Sequence, residues 1–213
     1  MNRRLRLRAG TALLASGLSL GLLGSCGSSL LPKPAPPPAL YTLDDAPASA
    51  APLPALAAAA PTLIVNTPRA ASGFDTPHIV YLRRAHEIEY FALNQWVDTP
   101  AHMLAPLIAR AVERTGAFRA VLLTPTPAAG RFRLDTELIR LQQDFSAAPS
   151  HVRLTLRAVL VDTATRSVVA RREFDARMAS NSDDPYGGVS AAQAATQQVL
   201  AELAAFCVEA AAR

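Results

Sequence analysis

The sequence predicts an α+β fold: a single domain with an antiparallel-rich mixed sheet and two main helices, at about 99–115 and 189–211. Three observations predict it. Residues 131–176 alternate apolar and polar side chains in three runs separated by turn residues, the pattern of a three-stranded antiparallel meander. Residues 99–115 and 189–211 instead repeat apolar residues at helical spacing. The stretch 62–213 is about 150 residues, enough for one hydrophobic core and too short for two comfortable ones.

Ahead of that domain the chain reads as a leader and a spacer. Arg3, Arg4, Arg6 and Arg8 form a basic start, and residues 9–24 are apolar or small without a charge. As a helix this segment rises only about 24 Å, short of the ~30 Å hydrocarbon core. Residues 1–25 therefore read as a secretory signal rather than a membrane span. Its end, Leu23-Gly24-Ser25-Cys26, resembles a bacterial lipobox. That resemblance implies cleavage between Ser25 and Cys26 and acyl chains of the palmitate kind on Cys26. One chain binds a membrane only marginally, and two or three hold it effectively for good. Gly27, where an aspartate would signal retention at the inner membrane, points to the outer membrane. Residues 26–61 are the expected tether. Pro32, Pro34, Pro36, Pro37 and Pro38 favour polyproline II, and Ala/Pro low complexity resumes after Tyr41-Thr42-Leu43.

Within the domain, Leu63-Ile64-Val65 is a short strand and Ala70 to Pro77 a loop. Ile79–Leu82 and Glu87–Leu93 form a hairpin across the turn Arg83-Arg84-Ala85-His86. Thr99 caps a helix whose first position is Pro100, and Gly116 ends it. Pro106 conflicts with that helix and predicts a bend or a late start. Phe118–Leu123 is a strand. In the long strand after it, the apolar phase slips at Ile139, which predicts a β-bulge. Residues 177–188 read as a polar loop before the alanine-rich last helix.

The raw net charge of +4 misleads. Without the four signal arginines, seventeen basic side chains face seventeen acidic ones. A neutral chain gives no case for nucleic acid or an anionic surface as partner. With Cys26 as the anchor, Cys207 stands alone on an apolar helix face and reads as a buried, inert thiol. His78, His86, His102 and His151 are scattered, and no HExxH, CxxC, GxSxG or P-loop spacing occurs. No metal or cofactor is expected beyond the lipid on Cys26, and no catalytic residue is assigned. Arg83, Arg84, Tyr90 and Trp96 are the candidate partner contacts, weighed against the simpler reading of solvated turn residues and aromatics that seat a helix on a sheet.

Around Trp96-Val97-Asp98-Thr99-Pro100, and over essentially the whole mature chain, the sequence resembles the auxiliary lipoproteins of ABC-type lipid transporters, the PqiC-like family. The lipobox, Tyr41-Thr42-Leu43, Val65-x-x-Pro68, Asp75, Ile79 and Tyr81 match in order, as do Leu141 to Phe145 and Leu160-Val161-Asp162. The resemblance implies a non-enzymatic component that docks an MCE-domain protein and an ABC permease and ATPase at the periplasmic face of the outer membrane, with homo-oligomerisation an open alternative. A structural or assembly lipoprotein of another envelope machine is the competing reading; genomic neighbours separate the two. The lipobox predicts that Cys26→Ala moves the protein from the membrane fraction to the soluble periplasm. Unchanged membrane association of that variant would refute the lipid anchor.

Overall fold

The computed structural model describes residues 36–44 and 60–213; the signal segment, Ser25, Cys26 and most of the tether lie outside the described residues. The strands are β1 (Ala39–Tyr41), β2 (Thr62–Val65), β3 (Arg69–Ala70), β4 (His78–Leu82), β5 (Ile88–Trp96), β6 (Ala120–Leu123), β7 (Phe132–Asp144), β8 (His151–Asp162) and β9 (Ser167–Ala179). The helices are α1 (Pro100–Glu113) and α2 (Pro185–Ala211). All nine strands belong to one mixed sheet.

β7 organises that sheet. Phe132, Leu134, Thr136 and Leu138 point into the core by simple alternation. Pairing then shifts between Leu138 and Arg140, the bulge predicted at Ile139, which returns Leu141 and Gln143 to the buried face. One edge of β7 pairs antiparallel with β8 along its whole length, from Phe132 opposite Asp162 to Asp144 opposite His151. The other edge takes three parallel strands in succession: β2 at Phe132–Leu134, β3 at Glu137–Leu138 and β4 at Gln143–Asp144. β9 extends the meander beyond β8, β6 extends β2, and β5 followed by β1 extends β4.

Both helices cover the buried face of this sheet. α1 buries Leu104, Leu107, Ile108 and Val112. α2 buries Val199, Leu203, Phe206 and Cys207, with the Phe206 ring edge-on to Phe174 of β9 at 5.8 Å. The opposite face of the meander is solvated and laced with ion pairs. Arg153 lies 2.9 Å from Asp175, and Arg157 reaches Glu137 at 3.0 Å and Glu173 at 3.2 Å. Exposed pairs of this kind set register more than they add stability.

Four details differ from the sequence reading. The domain does not begin at 62, because β1 pairs with β5 and Leu43 is buried in the core; the span 26–61 is therefore not all tether. Arg69–Ala70, expected in or beside a loop, is a short strand. α1 starts at Pro100 without delay, with Thr99 accepting from the His102 N–H. Its interior Pro106 sits on the exposed side, where water can reach the carbonyl that loses its donor. The polar loop at 177–188 shrinks to five residues, since β9 runs to Ala179 and α2 starts at Pro185. Asp184 is the N-cap and accepts from the Gly187 N–H at 2.7 Å, so Gly187 and Gly188 belong to the first helical turn.

Those glycines are required by packing. The Gln143 amide is buried, and its Nε2 donates to Ser150 Oγ at 2.9 Å and to the Asp184 carbonyl at 3.2 Å. This joins the end of β7, the entry to β8 and the cap of α2. A Cβ on Gly188 would collide with the Gln143 side chain, and one on Gly187 with the Ser182 backbone. Overpacking of this kind costs about 1–3 kcal/mol. Gly188→Ala should therefore lower the thermal midpoint in the wild-type background and cost much less in a Gln143→Ala background. Equal losses in both, read as a double-mutant cycle, would refute the contact.

Candidate docking surface

The four predicted contact residues do not form one site. Arg83 and Arg84 lie in the β4–β5 turn with side chains 67% and 84% exposed. Each has a local partner: Arg83 lies 3.9 Å from Glu89 and over the Tyr81 ring, and Arg84 is 3.8 Å from Glu87. Tyr90 is half-exposed, its ring 5.4 Å from that of His78. Trp96 is corrected: it is 3% exposed and packs in the core beside Ile79, Leu141, Val152 and Ala192, so it is not a surface contact. The aromatic that seats the helical layer on the sheet is this one.

The titratable groups with unusual surroundings are structural. Cys207 is fully buried, and burial pushes its thiol up to about 12, which removes the thiolate needed for nucleophilic chemistry. His151 is buried between Asp144, 3.5 Å from Nε2, and Arg177, 3.1 Å from Nδ1. Burial first and the Arg177 guanidinium second hold its pKa below the usual histidine value, so it packs as a neutral ring at neutral pH. Tyr81 donates to Glu89 at 2.8 Å, a bond that raises its pKa above the usual phenol value. Among the described residues, no group of three His, Cys, Asp or Glu side chains could hold a metal ion.

The surface feature that stands out is apolar and lies at one end of the sheet. Leu40 of β1, Ile88, Tyr90 and Leu93 of β5, Val97 just after it, and Tyr186 of α2 are exposed large hydrophobics; Val168, on the β8–β9 hairpin, is the other. β5 causes much of this. Its pairing with β4 shifts between His78 opposite Gln95 and Val80 opposite Tyr90, so Phe91–Asn94 face the single residue Ile79. A bulge of that size turns side chains away from regular burial. The sequence carried one signal, the unalternating run Tyr90-Phe91-Ala92-Leu93. Tyr186 carried none, a lone aromatic between Pro185 and Gly187, and Leu40 and Val97 stand beside Tyr41 and Trp96 with nothing in the sequence to say which of each pair reaches solvent.

The architecture is that of a one-sided mixed sheet under two helices, and solved structures share it. A Xanthomonas campestris protein of the family DUF330 matches with TM-score 0.66 at 24% identity, covering 82% of this chain and 94% of that one. A second, uncharacterized protein matches with TM-score 0.59 at 12% identity, covering 82% and 98%. No curated protein matches the chain. Residues 41–204 match the family of the ABC-type transport auxiliary lipoprotein component, and the chain belongs to that family. No helix among the described residues is long and apolar enough to cross a membrane.

Burial of Cys207 makes a direct prediction. In the Cys26→Ala protein, where Cys207 is the remaining thiol, a water-soluble thiol reagent should label it only as fast as the domain opens. Labelling within seconds in native buffer, without denaturant, would contradict the packing of α2 on β8 and β9.

Proposed function

We propose that the protein is a non-enzymatic docking component of an MCE-type ABC lipid transport system, anchored through Cys26 at the periplasmic face of the outer membrane. The observation that carries this reading is the family match over residues 41–204, which takes in nearly the whole domain and begins inside β1. A lipobox and a proline-rich spacer stand directly before it. An anchor, a stiff spacer and one neutral domain suit a protein that holds a partner at a set distance from a membrane. Extended polyproline rises ~3.1 Å per residue, so the stretch 27–38 ahead of β1 would reach roughly 37 Å in that conformation. Cys207 is a buried thiol and His151 a packed neutral ring, so neither of these two groups offers an exposed nucleophile or base.

The partner contact should rest on shape and apolar area, because the mature chain is neutral and its exposed large hydrophobics, Val168 apart, lie at one sheet end. Mature protein should therefore retain the MCE-domain protein encoded near its gene in a pull-down at both low and high salt. Failure to retain any such protein, or release by moderate salt, contradicts the proposal.

A further inference from the structure

The docking role proposed above leaves its surface unassigned, and the edge of β1 supplies one. The Tyr41 carbonyl accepts from the Val97 N–H at 2.8 Å, so the peptide groups of Tyr41 face β5. Backbone groups alternate sides along a strand, so the N–H and C=O of Leu40 point the other way. No described strand pairs with that side. Peptide groups on an edge strand that no described strand pairs, here those of Leu40, can take another strand.

The first half of α2 runs alongside. Tyr186, Val189, Gln193 and Gln197 form one wall of an open groove of ≈ 550 Å³, and Leu40 to Thr42 with Asp44 form the other. This chain already demonstrates how the edge bonds. Two residues beyond Thr42, the Gln193 amide accepts from the Asp44 N–H at 3.1 Å and donates to the Asp44 carbonyl. That is the pair of bonds a neighbouring strand makes, supplied here by a side chain. Elsewhere on the two walls Leu40 and Tyr186 are 60% and 70% exposed.

Charge narrows the occupant. Among the described residues, Asp44 is the one charged side chain lining the groove. Its carboxylate accepts from Thr42 Oγ1 at 2.7 Å and has no basic partner among the described residues. An acyl chain in the groove would leave the Leu40 peptide groups unpaired and Asp44 beside hydrocarbon, both costly.

We infer that β1 and the first half of α2 form a strand-addition groove for an extended segment of the transporter partner. The segment pairs its backbone with Leu40, sets an apolar side chain against Leu40 and Tyr186, and brings a basic residue to Asp44. An edge strand flanked by a helix is a general way to read an extended peptide: main-chain bonds hold it and side-chain pockets select it.

The test uses the full lipoprotein in cell envelopes, with p-benzoylphenylalanine at position 186 or, as the control, at exposed position 168. Co-purification of the transporter is measured in the same samples. The expected result is a photo-adduct from position 186 to an extended segment of a transporter component, about tenfold above position 168, the scale of one good interface anchor. Asp44→Arg, and separately Leu40→Pro, which deletes the outward N–H, should each reduce that adduct by about tenfold. If the transporter co-purifies but position 186 gives no adduct, equal adducts to 168, or an adduct only to lipid or a second copy of this chain, the groove is wrong and the docking role stands. An adduct insensitive to both variants also overturns the groove. Absence of co-purification with the unmodified lipoprotein removes the docking role, and the groove assignment with it.

Discussion

The hydrogen bonds along the two edges of β7 are the constraint on which the rest depends. One edge carries β8 over its full length; the other carries β2, β3 and β4 in turn. Three short segments, separated in sequence by loops, thus gain register from one long strand. Backbone bonds from Asn66 to Leu134, from Ala71 to Leu138 and from Phe145 to Leu82 close the gaps between them. The bulge at Ile139 makes this arrangement work, since it lets residues from Phe132 to Gln143 face the helices despite the phase slip. At the C-terminal end of β7 the Gln143 amide passes the constraint on to α2 by bonding beside its cap.

This explains why the exposed apolar side chains concentrate at the far end of the sheet. β8 and β9 are paired throughout, and their outer face is closed by ion pairs. β5 and β1 are furthest from β7 on the other side and are held by shorter ladders. There the pairing is irregular and apolar side chains reach solvent, whereas an outer edge without a described partner strand is shared by β1, β6 and β9. The exposed apolar end also adjoins β1, the element that follows the spacer from Cys26. In the proposed docking role, the part of the domain that first follows the anchor in sequence is the part that grips the partner.

Much of the fold was legible because its signals are periodic and local. Alternation marked β7, β8 and β9, the slip at Ile139 marked the bulge, and Thr99-Pro100 marked the start of α1. The same cap-and-proline device at Asp184-Pro185 was masked by Gly187-Gly188, which read as loop residues although they serve close contacts with Ser182 and Gln143. β1 was masked by the prolines before it and the low-complexity stretch after it; its place in the sheet comes from a partner more than fifty residues away. The surface was the least legible part. Trp96 and Tyr90 belong to the same strand, yet one is in the core and the other half-exposed, because the β5 bulge between them resets which face is which. A single sequence records aromatic residues but not the phase of an irregular strand.

In the proposed docking role, an anchored domain without chemistry of its own couples a transporter to the membrane that holds Cys26. Transfer of a labelled phospholipid between two vesicle populations measures this directly, with the transporter in one and the lipoprotein in the other. The account predicts that transfer requires the lipid-anchored protein and collapses when Cys26→Ala protein is supplied at the same concentration, with the transferred lipid chemically unchanged. Equal transfer by the unanchored protein, or cleavage of the lipid by the domain alone, would contradict it.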